Sequence, residues 1–254
     1  PISQIPITQK AFEDLIITSQ AINDIAEEKW GDEAKKLEIY MYVFSSRKED
    51  KSIGEKKNNP RKITHIYIPR HNAAETNVYV DPRSILEVRH YMDSNDLVLL
   101  GWVHSHGQYH VYSSKTDDEN HRKLLNETSN YIDFPTEPPI RLKYIYGITV
   151  NDKYERHGVI LTQFPCGHVQ EKVDKEFHIS GPNYTQDERK KRYKELKEFI
   201  KGNITLVKPV EKKSHDEILE ELTDELITFF LRDLDNSKNT LYDSLPPEYE
   251  NQFK

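Results

Sequence analysis

Two histidines and an aspartate in this chain have the residue types and the spacing of a metal site. His104 and His106 are separated by one residue, and Asp117 follows eleven residues after His106. The apolar run Leu97–Val103 before them predicts a buried β-strand. Because side chains on an extended chain repeat with a period of two, both imidazoles project to the same side, where one ion can bind both. Two histidines and one carboxylate leave the fourth tetrahedral position open to water, which is typical of catalytic rather than structural zinc.

Ser114 and Asp117 also have a structural interpretation. Their spacing is that of a capping box, with Ser114 as the N-cap of a helix that runs to about Asn126. A cap would fix the direction of the Asp117 side chain, so the structural and the metal-binding interpretations are compatible. A His-x-His pair on its own is more often incidental than a metal site, and it is the combination with a strand, a cap and a carboxylate that favours metal binding.

Taken together, the run His104–His106, Ser114 and Asp117 resemble the JAMM (also MPN+) zinc metalloprotease signature at every ligand spacing. That family includes the deubiquitinating subunit of the proteasome lid and the AMSH-type enzymes. The resemblance covers roughly residues 5–179. It implies an α/β fold of the MPN (JAB-type, cytidine-deaminase-like) kind, with a mixed β-sheet flanked by helices, and one catalytic Zn²⁺ ion at the edge of the sheet. Gly107 departs from the pattern, since many members have proline directly after the second histidine.

The family also has a glutamate on an earlier strand, and Glu38 matches it by position. The run Glu38–Phe44 is rich in β-branched and aromatic residues, which predicts a strand. The family pattern is Glu, two residues, Gly, one residue and an aliphatic residue. Here Met41 stands in the place of the glycine, and Val43 lies near the aliphatic place. The alternatives lie on the preceding helix or at its exit: Glu27, Glu28 and Glu33.

The activity that the resemblance implies is hydrolysis of the peptide or isopeptide bond after the C-terminal tail of ubiquitin or a ubiquitin-like modifier. Zinc lowers the pKa of a bound water towards ~7. Glu38 would accept the proton of that water and later deliver it to the departing amine. The hydroxyl of Ser114 would help to stabilise the oxyanion, with the neighbouring Ser113 as the alternative. Two other functions stay open: a non-catalytic MPN scaffold in a multi-subunit complex, and a JAMM hydrolase of a different amide, such as a small-molecule conjugate or a sulfur-carrier precursor.

Two loops could supply contacts to such a substrate, namely His71–Thr76 and Thr128–Pro139. Surface loops without a partner have the same appearance in a sequence, so both interpretations stand. We expect the tail of the modifier to bind as an extended strand beside an exposed sheet edge, where main-chain hydrogen bonds can hold it.

The composition limits the class of protein. The chain has 254 residues and a net charge of −7, which argues against general binding of nucleic acid by charge. Its single cysteine, Cys166, excludes an intramolecular disulfide framework and predicts a reducing, cytoplasmic location. No apolar run approaches the ~20 residues of a membrane span, and no signal pattern is visible at the N-terminus. We therefore expect a soluble intracellular protein that binds neither nucleic acid nor membrane.

A change of character near residues 180–183 divides the chain into two predicted domains. Residues 1–180 are predicted to form the JAMM/MPN+ catalytic domain, and residues 181–254 a helical C-terminal extension with a mobile tail. In the extension, helices are predicted over 186–201 and 215–234, the second with a clear apolar stripe. They could pack on their own domain or associate with another MPN-type chain or a second copy. The run Pro246–Tyr249 matches the ligand pattern of WW domains, a four-residue match that arises easily by chance.

A second, structural zinc site is a further hypothesis. Cys166 and His168 have a Cys-x-His spacing, and His157 and His178 could complete the ligand set. A Cys-x-His pair is a poor signature without its other half, so the sequence alone does not favour this site strongly. Two tyrosines of the loop after the histidine pair, Tyr109 and Tyr112, are interpreted as packing residues.

Overall fold

A computed structural model of the chain describes residues 2–47, 60–75, 79–80, 83–128, 130–134 and 136–209. The secondary structure within these ranges belongs to one compact unit that ends at Pro209. The amphipathic helix predicted over 215–234 and the Pro246–Tyr249 motif lie outside the described residues. The division of the chain into domains at residue 180 stays a prediction.

A seven-stranded mixed sheet forms the centre of the fold. Its path runs β10, β9, β8, β6, β2, β3, and β7 pairs with β8 away from this path. The strands in this order are Val169–Lys172, Arg156–Gln163, Ile140–Val150, Leu97–Ser105, Tyr40–Ser46 and His65–Tyr67, with β7 at Tyr131–Phe134. Strands β6 and β8 are parallel, whereas the other pairs are antiparallel. The metal-site strand β6 therefore lies in the interior of the sheet.

Helix α1 covers one face of this sheet. It spans Gln9–Trp30, begins at the N-cap Thr8, whose hydroxyl accepts the N–H of Ala11, and ends at Gly31 with φ +89°. The apolar side chains of α1 pack in the main core with every second residue of the strands, including Val103 of β6 and Ile148 of β8. Because strand side chains alternate, the residues between these point to the opposite face.

Helix α3, Lys115–Glu127, covers that opposite face. Leu125 packs there with Ile145 of β8 and with Val159 and Leu161 of β9. A shorter helix, α2, spans Ser84–Ser94 and packs Val88 against strands β2 and β6. The side chains of His104 and its neighbours on alternate positions thus lie between the sheet and α3.

Two small sheets and a fourth helix complete the unit. Strands β1 (Gln4–Thr8) and β11 (Glu176–Ser180) form a parallel pair, and β12 (Ile204–Leu206), β4 (His71–Ala73) and β5 (Tyr79–Val80) form a three-stranded sheet. Helix α4, Gln186–Asn203, packs on α1 and buries Leu196 and Ile200 in the main core. Arg192 of α4 binds both carboxylate oxygens of Asp14 on α1, at 3.0 and 2.9 Å.

The mixed sheet with flanking helices confirms the predicted fold class, with corrections in several elements. Strand β2 begins at Tyr40, so Glu38 lies two residues before it and not at its start. The segments Thr128–Pro139 and His71–Thr76 were expected to be loops, but they contain β7 and β4. β7 is a strand because it pairs with β8, and β4 because it pairs with β12. The composition of these short segments does not reveal such pairing. Within the described part of the chain, no helix is long and apolar enough to cross a membrane.

Candidate metal centre

The end of strand β6 places two imidazoles side by side. His104 lies within β6, and His106 follows its last residue, Ser105. Both histidines are buried, and their Nε2 atoms are 3.0 Å apart. The backbone N–H of His106 donates to the Val150 carbonyl at 2.9 Å, which continues the alignment with β8 beyond the end of the strand. The period of two that the sequence indicated is therefore preserved at both ligand positions.

Asp117 reaches the same point from the first turn of α3. The predicted capping box is present: the Ser114 hydroxyl accepts the N–H of Asp117 at 3.3 Å, and the Asp117 carboxylate accepts the N–H of Ser114 at 2.7 Å. The Oδ2 atom of Asp117 lies 3.6 Å from Nε2 of His104. The cap thus fixes the direction of the carboxylate, as the sequence predicted.

These three side chains fit a tetrahedral ion. Ligand atoms bonded at about 2.0–2.1 Å to a tetrahedral zinc lie about 3.3 Å from one another, and the observed separations of 3.0 and 3.6 Å lie on either side of that value. Among the described residues, His104, His106 and Asp117 are the group of three whose ligand atoms all lie within 4.8 Å of one another. Two imidazole nitrogens and one carboxylate oxygen are ligands that suit zinc.

A hydrogen bond at His106 and the burial of His104 favour metal binding through the Nε2 atoms. Nδ1 of His106 lies 2.9 Å from the carbonyl oxygen of His110 and donates to it, so the lone pair of the neutral ring is on Nε2. Burial lowers the pKa of His104, although the nearby Asp117 carboxylate opposes that shift. The His104 ring is therefore neutral at physiological pH and can act as a ligand.

Glu38 is the fourth polar residue of the site. Its Oε1 lies 3.9 Å from Nε2 of His106, and its backbone N–H donates to the Ala74 carbonyl at 2.8 Å. Burial, and then the negative charge of Asp117, raise the pKa of Glu38 to about 8. In the metal-free protein the carboxyl group is thus mostly protonated at neutral pH. A bound cation would favour its ionised form.

Two of the alternative glutamates form ion pairs elsewhere. Glu27 pairs with Lys35 at 2.9 Å, and Glu28 pairs with Lys197 of α4 at 2.6 Å. The side chain of Glu33 lies outside the described residues. Of the glutamates that the sequence offered, Glu38 is the one whose described carboxyl group lies beside the histidine pair.

Ser114 contacts Asp117 through its hydroxyl as well as its backbone. The hydroxyl donates to Oδ2 of Asp117 at 2.8 Å, and that oxygen also faces His104. In this arrangement Ser114 orients a ligand. Its O–H would have to turn away from Asp117 to reach a substrate oxygen, so the oxyanion role that the sequence suggested stays a prediction.

The structure does not bring the second proposed ligand set together. Cys166 is exposed in the turn between β9 and β10, and the ring of His168 packs on Phe164 with centroids 5.9 Å apart. His157 instead lies 2.8 Å from Asp174 through its Nδ1. Neither these residues nor His178 belong to a group of three converging ligands in the described part of the chain. A turn and a strand edge hold Cys166 and His168 at the surface, which the spacing could not reveal.

Two features of the site, at Ser105 and Tyr112, are not indicated by the spacing of residues in the sequence. Ser105 was only the residue between two ligands, yet it is completely buried and bonded to the segment that carries Glu38. Tyr112 was interpreted as a packing residue, but 59% of its surface is exposed while its ring stands edge-on to His106 at 4.9 Å. Tyr109 is also partly exposed, and its hydroxyl donates to Glu75 at 2.8 Å.

A mixed sheet flanked by helices, with a buried His-His-Asp group that could hold a metal ion between its central strand and a capped helix, is the arrangement of a JAB/MPN-type domain. A family model described as prokaryotic homologues of the JAB domain matches residues 26–160, and this chain belongs to that family. The match includes Glu38 and all three ligands. The chain is also similar to the AMSH-like protease of Homo sapiens, with 31% identity over 68 residues. That alignment covers 27% of this chain and 15% of the protease.

Proposed function

We propose that this protein is a zinc-dependent isopeptidase that cleaves after the C-terminal tail of ubiquitin or a ubiquitin-like modifier. The observation that carries the proposal is the convergence of His104, His106 and Asp117 beside the carboxyl group of Glu38. A site with three ligands and an adjacent base has the parts that hydrolysis of an amide needs. The similarity to a protein named as a protease supports the same class of reaction.

The reaction adds water across an amide, giving a carboxylic acid and an amine. Zinc, when bound, supplies Lewis-acid activation of the water and of the carbonyl. In our proposal Glu38 accepts the proton of the attacking water and transfers it to the departing nitrogen. While the water attacks, the hydroxyl of Ser114 turns from Asp117 to donate a hydrogen bond to the developing oxyanion. The removal of one such donor typically costs about 3 kcal/mol of transition-state stabilisation.

The surroundings of the site support an extended polypeptide as substrate. The hairpin of β4 and β5 lies next to Glu38, because Ala74 directly after β4 accepts the Glu38 N–H. Within the described strands β5 pairs with β4 alone, so its other edge can take an added strand. The exposed ring of Tyr112 stands edge-on to the ring of His106. In our proposal it packs on the substrate residues next to the scissile bond.

The proposal extends to location and assembly. An intracellular location fits a chain with one cysteine, which leaves no disulfide framework. Association with an MPN-type chain or with a second copy through the C-terminal helices of residues 181–254 is also part of the proposal.

The test uses purified protein, isopeptide-linked ubiquitin conjugates and a panel of ubiquitin-like fusions. We expect one zinc per chain and cleavage that a chelator abolishes and added zinc restores. Glu38→Gln should keep the zinc and lose more than about 99% of turnover, because it removes the proton acceptor. Glu28→Gln, at an exposed ion pair with Lys197, is the matched control and should cleave like the wild type.

Three outcomes would contradict the proposal in different ways. Zinc binding without cleavage of any conjugate, but with hydrolysis of a small amide, would indicate a JAMM hydrolase of another substrate. A failure to bind zinc, even after zinc is added back, would favour a non-catalytic scaffold. Full activity of Glu38→Gln would show that another group transfers the proton.

A further inference from the structure

The two histidine ligands differ in what holds their rings. His106 donates from Nδ1 to the His110 carbonyl at 2.9 Å. Nδ1 of His104 is buried and has no hydrogen-bond partner among the residues that the structure describes. A metal-bound histidine usually has a partner at its second nitrogen, and that partner fixes the plane of the ring. No hydrogen bond from the described residues to Nδ1 sets the plane of the His104 ring, so another contact must do so.

A stack of aromatic rings contacts the face of the His104 ring. The ring of His104 is stacked on Trp102, with centroids 4.9 Å apart and an interplanar angle of 22°. Trp102 is stacked in turn on Tyr40, at 4.8 Å and 17°. Trp102 and His104 lie two residues apart on β6, and Tyr40 is directly opposite His104 on β2, so all three side chains point to the α3 face of the sheet.

Trp102 has little freedom to move. Only 3% of its surface is exposed, and His121 of α3 packs on it with ring centroids 5.2 Å apart. His121 is itself held against Gly147 of β8, where a Cβ atom would collide with its Nε2. The indole Nε1 is buried and has no hydrogen-bond partner in the structure. The contacts that Trp102 makes are consequently those of its ring faces and not of its N–H group.

We propose that Trp102 is the positioning residue of the metal ligand His104, with its indole face setting the plane of the imidazole. The stack keeps Nε2 of His104 directed at His106 and Asp117, 3.0 and 3.6 Å away. The stack fixes the ring of His104, as the hydrogen bond to the His110 carbonyl fixes the ring of His106. Tyr40 backs the indole from strand β2. This inference rests on the metal site of the proposed function, but it concerns the affinity of that site and not the substrate.

The main test is the dissociation constant of zinc, measured by competition with a chromophoric chelator. Trp102→Leu removes the stacking face and should weaken zinc binding about 10-fold to 100-fold, the usual range for the loss of a group that orients a ligand. Trp102→Phe keeps an aromatic face and loses only the unpaired N–H. It should bind zinc within about 3-fold of wild type. The melting temperature of each metal-free variant shows whether it is folded.

Cobalt(II) and a single-tryptophan protein give a second readout that does not depend on affinity. The chain has two tryptophans, and Trp30→Phe removes the other one, which lies at the end of α1. Cobalt(II) bound at the site should quench most of the remaining Trp102 fluorescence, with a titration endpoint of one ion. Quenching by less than a tenth at saturation would place the ion away from Trp102 and overturn the proposal.

Tyr40 variants keep the test decisive if Trp102→Leu does not fold. Tyr40→Leu removes the ring behind Trp102 and should weaken zinc binding about 3-fold to 10-fold, whereas Tyr40→Phe keeps the ring and should not. A folded Trp102→Leu, or in its absence Tyr40→Leu, that binds zinc as tightly as wild type would overturn the inference. If the wild type itself binds no zinc, the proposed function fails first, and that result is distinguishable from a loss confined to the variants.

Discussion

Ser105 and Ile39 are joined by two hydrogen bonds that connect the histidine pair to the segment that carries Glu38. The N–H of Ser105 donates to the Ile39 carbonyl at 3.0 Å, and the Ser105 hydroxyl accepts the Ile39 N–H at 3.1 Å. Ser105 lies between His104 and His106, and Ile39 follows Glu38. One buried serine therefore connects the segment of Glu38 to the histidine pair.

Replacement of Ser105 by alanine should separate catalysis from metal binding. The Ile39 N–H would lose its acceptor in a buried place, which costs about 1–3 kcal/mol of stability. We expect kcat to fall at least about 10-fold while the zinc affinity changes less than about 3-fold, because Glu38 loses its support and the ligands do not. Ser105→Thr retains the hydroxyl and is the control. Equal losses in kcat and in zinc affinity would argue against a separate role for Ser105.

Gly107 should not tolerate the proline that many family members have at this position. Its φ is +54°, whereas proline requires about −65°. A Cβ atom there would also approach the Lys35 carbonyl oxygen to 2.9 Å. We expect Gly107→Ala to lower the free energy of unfolding by about 1–3 kcal/mol and Gly107→Pro to lower it further, both measured by urea denaturation. A proline variant as stable as wild type would show that the loop has another accessible conformation.

Gly147→Ala should displace helix α3 and with it a metal ligand. The new methyl group would collide with Nε2 of His121, and His121 lies one turn after Asp117 on α3. We expect weaker zinc binding and a lower melting temperature. Combination with His121→Ala should restore both in part, since it removes the colliding ring. Gly202→Ala in helix α4, where an added Cβ meets nothing within 4 Å, is the control and should leave zinc binding unchanged without lowering the melting temperature. Additive losses in the double variant would contradict this explanation.

The stability of the metal-free protein should fall between pH 6.5 and about 4 partly because of His71. This buried histidine accepts the Tyr40 N–H at Nε2, 3.2 Å away, and its Nδ1 donates to the Pro69 carbonyl at 2.7 Å. Burial lowers the pKa of His71 from 6.5 to about 4, so the folded state favours the neutral ring. That contribution is complete above pH 6.5 and is lost as the pH falls through about 4.

His71→Gln isolates this effect, because its amide oxygen can still accept the Tyr40 N–H without titrating. Between pH 7.5 and 5, the free energy of unfolding of wild type should fall about 2 kcal/mol more than that of the variant. Urea denaturation in the presence of a chelator measures both, so that release of metal does not contribute. The same pH dependence in the two proteins would mean that His71 titrates normally.

Local patterns in the sequence predicted several parts of the site. The period of two on β6 and the spacing of Ser114 and Asp117 depend on contacts within a few residues, and the structure has both as expected. The family resemblance rested on these positions, and the match to residues 26–160 confirms it.

Other features depended on residues that are far apart in the sequence. The structure brings Glu38 to the histidine pair because Ile39 bonds to Ser105, and β7 is a strand because β8 pairs with it. The turn geometry that leaves Cys166 at the surface is likewise invisible in a spacing.

What the sequence determined by itself is the candidate ligand group His104, His106 and Asp117 and the elements that carry it, since strand alternation and helix capping are set by neighbouring residues. Only the tertiary structure decided the surroundings of these residues. They are Glu38 beside His106, the hydrogen bond between Ile39 and Ser105, and the stacked rings of Trp102 and Tyr40. The register between β2 and β6 sets these relationships. A register depends on the packing of the whole sheet, and no short stretch of sequence contains it.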